Sequence, residues 1–181
     1  PQYQEILVNE EIEESFDIMK DIVSISSAAR MKGKLKRRWP LNEALICVSK
    51  GQKQKLGSLS SLLMSQLNVE KFTIFEIERD SGLEQILELK QLNLPLRSVV
   101  ELERKRIGPK AKQHMGKLVN VFSETNKEEI IASLQKDGQY NYEIDGEKIS
   151  LDKEDFTVDF DASEEFAVSK RDRYIVFIST S

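Results

Sequence analysis

The stretch from Glu43 to Ile77 constrains the fold more than any other part of the chain. Glu43-Ala44-Leu45-Ile46-Cys47-Val48 is an apolar run with strand character. Residues 54–67 place Leu56, Leu59, Leu63 and Leu67 on one helical face. Lys71-Phe72-Thr73-Ile74-Phe75-Glu76-Ile77 then reads as a second strand. A strand, a helix and a strand within so short a stretch form a βαβ unit, which makes the two strands parallel and the crossover right-handed.

Upstream, Ile12, Phe16, Met19, Ile22 or Val23, Ser26 and Ala29 step by three and four, so one amphipathic helix is expected over residues 10–31. Asn9 is its expected N-cap, while residues 1–8 show no period. Glu10, Glu11 and Glu13 sit at the end where the helix dipole favours acids, and Arg30, Lys32 and Lys34 at the end where it favours cations. Gly33 weakens the helix and Pro40 forbids it beyond Trp39. A lone helix of this kind cannot bury its own stripe, so it is expected to lie on the next domain or on partner helices outside this sequence.

Downstream, Leu83, Ile86, Leu87 and Lys90 allow a helical turn, and Val99, Val100, Leu102 and Ile107 suggest a strand. Gly108-Pro109 is read as a break before a basic helix over residues 110–121, and residues 128–134 as a short helix stopped near Asp137-Gly138. The last third reads as β-rich. Tyr140, Tyr142 and Ile144 alternate with polar residues, Asp145-Gly146 marks a hairpin, and Lys148-Ile149-Ser150-Leu151 returns. Strands are further expected at 157–160, 166–169 and 174–178, with 170–173 as the last turn. The fold class is therefore α+β: a long amphipathic N-terminal helix, then a mixed α/β domain with a βαβ unit and a β-rich end. The expected division is a helical arm over 1–40 and a small α/β domain over 41–181.

With 39% hydrophobic and 32% charged residues in 181, the chain has the composition of a folding domain, and no apolar stretch is long enough to span a membrane. The start lacks Met and any signal pattern, and the end follows directly on a strand, so a piece of a longer polypeptide is expected. The single cysteine, Cys47, excludes an internal disulfide framework, suits a reducing cytoplasm and reads as a small core residue.

The net charge of -4 hides a sharp local excess: Arg30, Lys32, Lys34, Lys36, Arg37 and Arg38 fall within nine positions with no acid among them. Such a run attracts polyanions whatever the overall sign. Arginines contact phosphates in bidentate fashion, and Trp39 beside them either offers a stacking face for a base or caps the core. The competing reading is a solvated helix end decorated for its dipole. The segment around Lys110 and Lys117 is also basic, and reads either as an RNA contact or as a solvated helix face. It is not a phosphate loop: seven residues separate Gly108 from Gly116, and Leu118 follows the lysine where Ser or Thr is required.

One histidine, His114, and one cysteine cannot assemble a usual zinc site, and a structural or surface role is expected for His114. The acids of 143–165 lack the spacing of a calcium loop and read as solvated, with 152–155 as a turn or short helix start. No nucleophile elbow or triad can be drawn, so no catalytic residue, metal or cofactor is assigned.

Taken together, the residues resemble a known family. Ala29-Arg30-Met31-Lys32-Gly33-Lys34-Leu35-Lys36-Arg37-Arg38-Trp39-Pro40-Leu41 before a strand is similar to the end of the anticodon-binding helical domain of class I isoleucyl-tRNA synthetases, of the archaeal and eukaryotic type. Leu67-Asn68-Val69-Glu70-Lys71, Ile107-Gly108-Pro109-Lys110 with Gly116-Lys117-Leu118, and Phe166-Ala167-Val168 resemble the small α/β domain that follows there. Valyl enzymes share the Arg and Pro-Leu elements more loosely. The interval from Lys110 to Gly116 is longer than the family's, so no contact is carried onto Lys112 or His114.

The resemblance implies a non-catalytic, tRNA-binding part of an ATP-dependent ligase. The His-Ile-Gly-His and Lys-Met-Ser-Lys-Ser signatures are absent, so no ATP site is expected within this chain. The implied partners are isoleucine tRNA and the rest of a synthetase, with neither DNA nor membrane, in the cytoplasm. The implied contacts are Arg30, Lys32, Lys34, Lys36, Arg37, Arg38 and Trp39, with Lys110 and Lys117. The alternatives are a structural or protein-docking module and a free-standing RNA-binding adaptor.

Overall fold

A computed structural model describes residues 10–181, so the N-cap expected at Asn9 and the patternless start lie outside the described residues. In order, the elements are α1 (Glu10–Lys32), β1 (Leu41–Ser49), α2 (Gln52–Gly57), α3 (Ser60–Leu67), β2 (Val69–Ile77) and α4 (Gly82–Gln91). There follow β3 (Leu96–Leu102), α5 (Arg104–Ala111), α6 (Met115–Glu124), α7 (Lys127–Asp137), β4 (Gln139–Ile144) and β5 (Glu147–Asp152). The last three are β6 (Phe156–Ala162), β7 (Phe166–Arg171) and β8 (Tyr174–Ser179). The fold is mixed α and β with a β-rich last third, as the residue pattern predicts.

Two compact units divide the described chain along lines other than 1–40 and 41–181. One holds the residues through Asp80 with Gln91–Pro95 and Ala162–Ser181; the other holds Ser81–Lys90 and Leu96–Asp161.

The first unit is built on a four-stranded sheet of order β2-β1-β8-β7. β1 and β2 are parallel, with Ala44 opposite Phe72 and Ile46 opposite Ile74, which is the expected βαβ pair. β8 runs antiparallel to β1, with Ala44 opposite Ile178, and β7 runs antiparallel to β8. Paired on both edges, β1 buries Ile46, Cys47 and Val48 in succession, the signature of a central strand.

α1 lays Ile18, Ile22, Ile25 and Ala29 on this sheet, in one cluster with Leu56, Leu63, Leu67, Val176 and Ile178. The helix thus finds its apolar partner within its own unit. Ile12, counted in the stripe from its spacing, is exposed instead. The single helix expected over 54–67 is broken into α2 and α3. The break follows Gly57-Ser58, where the Ser58 and Ser60 hydroxyls donate to the carbonyls of Lys55 and Gly57 and compete with the helical ladder. The leucine face survives the break, because Leu59 still donates to Leu56 and accepts from Leu63.

α1 ends in a two-bond C-terminal cap. Lys34 N–H donates to the Met31 carbonyl at 3.1 Å and Leu35 N–H to the Arg30 carbonyl at 2.9 Å. The left-handed position of this cap is Lys34 (φ 56), not the glycine beside it. Gly33 serves closeness instead: a Cβ there would lie 3.1 Å from the Ala167 Cβ and 3.2 Å from Leu35.

The second unit gathers Ile107, Ala111, Leu118, Ile130, Ile131, Leu134 and Leu151 into its own core. The β4–β5 hairpin turns at Asp145 (φ 53) and Gly146 (φ 81), the backbone that an Asp-Gly hairpin demands. α7 carries an Asn126 side-chain cap on Glu128 N–H and stops at Gly138 (φ 71). Two expectations fail here. Gly108-Pro109 does not break the chain, and Ile107 is not in a strand; all three residues lie in α5, held by the buried Ile107 and Ala111. The reversal falls at Lys112 (φ 47).

Filling the Gly33 contact and relieving the Lys34 backbone should shift stability in opposite directions. Gly33→Val is expected to cost roughly 1–3 kcal/mol through overpacking. Lys34→Gly is expected to gain about 0.5–1 kcal/mol by removing a side chain from the left-handed region. Urea unfolding followed by far-UV circular dichroism measures both.

Candidate nucleic-acid interface

The basic run lies where α1 ends and β1 begins, and the structure sorts its cations into two sets. Arg30, in the last turns of α1, points inward and is 4% exposed. One guanidinium nitrogen donates to the carbonyls of Lys36 (3.2 Å) and Trp39 (2.9 Å). The other donates to those of Leu67 (2.8 Å) and Asn68 (3.1 Å) at the end of α3. Its partners are neutral oxygens, not carboxylates. Burial, and then the charge of Arg37 nearby, push the guanidinium down from its usual range. Lys32 likewise turns back, its Nζ donating to the Val168 carbonyl at 3.2 Å.

The outward set is Lys34, Lys36, Arg37 and Arg38, all exposed. Among the described residues none of the four forms an ion pair. The sole tryptophan, Trp39, is 44% exposed, and the Lys36 ammonium lies 5.2 Å from its ring centroid. Of the two readings open for Trp39, core cap or open ring face, the structure gives a ring half in solvent beside unpaired cations.

The segment keeps its shape through its backbone. Trp39 N–H donates to the Lys36 carbonyl at 3.0 Å, Asn68 Nδ2 to the Arg37 carbonyl at 3.3 Å, and Leu41 N–H to the Asn68 carbonyl at 3.1 Å. Asn68, which sequence reading passed over as a functional residue, is the left-handed cap of α3 (φ 52). An Asn directly after a leucine helix and before a strand is the signal that would have found it.

Lys110 and Lys117 belong to the second unit, and their ammonium groups are engaged by carboxylates. Lys110 reaches Asp152 at 3.1 Å and also bonds Asp155. Lys117 holds both oxygens of Asp145, at 2.7 and 2.6 Å. Asp155 contradicts the solvated reading of the acids: it is 0% exposed and accepts from Asp152 N–H in a capping box at the 3-10 turn Lys153–Asp155. His114 is buried between Asp145 (3.3 Å) and Glu147 (3.1 Å), a structural position. Among the described residues no group of His, Cys, Asp and Glu is arranged to hold a metal ion, and no helix is long and apolar enough to cross a membrane.

No family model matches the chain. It is similar to segments of one class of enzyme, the aminoacyl-tRNA ligases. The isoleucine–tRNA ligase of Saccharolobus solfataricus is 28% identical over 178 residues, which is 98% of this chain and 17% of that protein. The isoleucine–tRNA ligase of Bacteroides fragilis is 28% identical over 159 residues, 87% of this chain and 13% of that protein. That of Thermococcus kodakarensis is 24% identical over 172 residues, 92% of this chain and 14% of the relative. The chain thus spans well under a fifth of the curated relatives it matches. These archaeal and bacterial similarities fit a segment of an isoleucine–tRNA ligase, the family that the residues resemble.

The lysine–carboxylate pairs of the second unit make its stability depend on pH at both extremes. The hydrogen bond and charge of Lys110 hold the Asp152 carboxyl below its ordinary 3.8, and those of Lys117 do the same for Asp145. Their contribution is complete above 3.8 and is lost as pH falls through the lower folded values. Lys110 is raised above 10.5, chiefly by its bond to Asp155, so its contribution is complete below 10.5 and is lost as pH rises through the folded value. Lys110→Ala is expected to lower stability by roughly 1–3 kcal/mol at neutral pH, because a buried carboxylate loses a charged donor. Urea unfolding of the wild type and this variant at about pH 7 and about pH 3 should show the difference shrinking in acid.

Proposed function

We propose that the α1–β1 junction faces tRNA in a non-catalytic part of an isoleucine–tRNA ligase, the region that follows the anticodon-binding helices near the C-terminus. Lys34, Lys36, Arg37 and Arg38 contact phosphates, and Trp39 stacks on an unpaired base of the anticodon region. Arg30 shapes the segment from within, and Lys32 is held by the Val168 carbonyl. Lys110 and Lys117 take no part, since carboxylates hold them. The complete enzyme joins isoleucine to its tRNA with ATP in the cytoplasm, and binding energy gathered at this distant surface positions the acceptor end for that chemistry.

One observation carries the reading: four exposed cations within five positions lack any carboxylate partner among the described residues, beside an exposed indole. Surface cations that serve only solubility are commonly interspersed with acids. Here the charge of Arg37 acts on another cation, the buried Arg30. The similarity to isoleucine–tRNA ligases along nearly the whole chain supports the same partner. A protein-docking surface is the second reading, favoured by Met31, which is exposed at the same junction along with Trp39.

Fluorescently labelled isoleucine tRNA, titrated with the full 181-residue chain at several salt concentrations, separates the two. Lys36→Glu, Arg37→Glu and Arg38→Glu together are expected to weaken binding by at least tenfold. They should also flatten the salt dependence by about 0.7–0.9 logarithmic units per lost contact. Lys136→Glu, on the exposed face of α7, should leave both unchanged. Equal affinity of the triple variant and the wild type would overturn the tRNA reading in favour of docking.

A further inference from the structure

We infer that Arg30 and Asn68 are a pair of positioning residues that clamp the 36–39 segment and thereby set the geometry of the outward cations and of Trp39. The consequence for tRNA rests on the reading above; the clamp itself does not.

The segment has little of its own to hold it. Lys36 to Pro40 lie in neither a helix nor a strand, and their one internal backbone bond is Trp39 N–H to the Lys36 carbonyl. Its side chains from Lys36 to Pro40 are all exposed, so no apolar anchor fixes it. What fixes it reaches its carbonyls from outside. Arg30 takes the two ends, Lys36 and Trp39, and Asn68 Nδ2 takes the middle, Arg37. The two residues are themselves joined, because the second Arg30 nitrogen donates to the carbonyls of Leu67 and Asn68. The Asn68 carbonyl also accepts Leu41 N–H, which starts β1.

The residue types fit these tasks. A guanidinium presents donors in a rigid planar fork, so one side chain can face two carbonyls on each side. A lysine in its place would be a point donor on a flexible stem, unable to span both groups. Asn tolerates the left-handed backbone of the α3 cap and carries an amide donor. Because every Arg30 acceptor is a neutral carbonyl, the buried charge is solvated without being neutralised. It adds to the positive field of the segment it holds, and the charge of Arg37 in turn helps to push the Arg30 guanidinium down from its usual range.

The sole tryptophan lies at one clamped position, so intrinsic fluorescence reads the clamp without RNA. Acrylamide quenching and anisotropy of Trp39 are to be measured in the full chain for the wild type, Arg30→Lys and Asn68→Gly, with far-UV circular dichroism to establish folding. Asn68→Gly keeps the left-handed cap free of strain, so it tests the clamp in a folded background even where Arg30→Lys does not.

In each folded variant, quenching is expected to rise roughly twofold or more and anisotropy to fall. Affinity for isoleucine tRNA should weaken roughly three- to tenfold, the cost of re-ordering the segment on binding, with the salt slope unchanged because no outward cation is lost. Wild-type quenching and anisotropy in folded Asn68→Gly would overturn the clamp, whatever the tRNA result. A loosened Trp39 in a chain whose wild type takes up no tRNA would uphold the clamp and remove the tRNA reading. Wild-type affinity for isoleucine tRNA in folded Asn68→Gly with a loosened Trp39 would overturn the positioning role while leaving the clamp in place.

Discussion

The α1–β1 junction depends on a positive charge placed inside the protein. Withdrawing a guanidinium from water costs several kcal/mol unless its donors are met, and hydrogen bonds from a charged donor return roughly 1.5–3 kcal/mol each. Arg30 meets four carbonyls, two on the segment after α1 and two at the end of α3. The resulting balance is delicate. Removing the side chain would strip those oxygens of a donor and leave the two pieces of chain joined by the Asn68 bonds to Arg37 and Leu41. Through this one group, the end of the first helix, the end of the third and the start of the central strand share a common geometry.

The same interaction explains why a run that reads as uniform in sequence is divided in space. Six cations in nine positions suggest one solvated stripe. The cap that closes α1 turns the chain sharply at Lys34: before it Arg30 points into the unit and Lys32 reaches back to Val168, while after it Lys36, Arg37 and Arg38 are exposed. Arg30 and Lys32 become architecture, while Lys34, Lys36, Arg37 and Arg38 are left to solvent. Lys110 and Lys117, which share only the basic character, differ because Asp152, Asp155 and Asp145 reach them.

What was legible beforehand was what depends on near neighbours. Helical spacing placed α1, two apolar runs around a leucine helix gave the parallel pair, and Asp145-Gly146 marked its hairpin. What escaped depends on partners far along the chain. Nothing local shows that Arg30 bonds a carbonyl 37 residues away or that Asp155 is buried beside Lys110. Cations and acids are expected outside unless paired, and pairing across such distances leaves no local pattern. Gly108-Pro109 misled for a related reason: its local tendency to break a helix is outweighed by the burial of Ile107 and Ala111. At the candidate site the residue types were legible and their division into inward and outward sets was not.

The order of the sheet bears on how the first unit comes to exist during synthesis. β1 is a central strand, but its second neighbour, β8, is the last strand of the described chain, and the whole second unit is spelled out between them. As the polypeptide emerges, β1 and β2 can pair at once, whereas the flank of β1 that receives β8 must wait until the second unit and β7 have been made. Contacts closed over so long a span form slowly, and an unpaired apolar strand is a template for aggregation in the interval. The second unit, whose segments lie closer together in sequence, has the shorter path to its native contacts. A nascent chain of this design therefore has its greatest need of chaperone protection at β1, whose Ala44, Ile46 and Cys47 end fully buried.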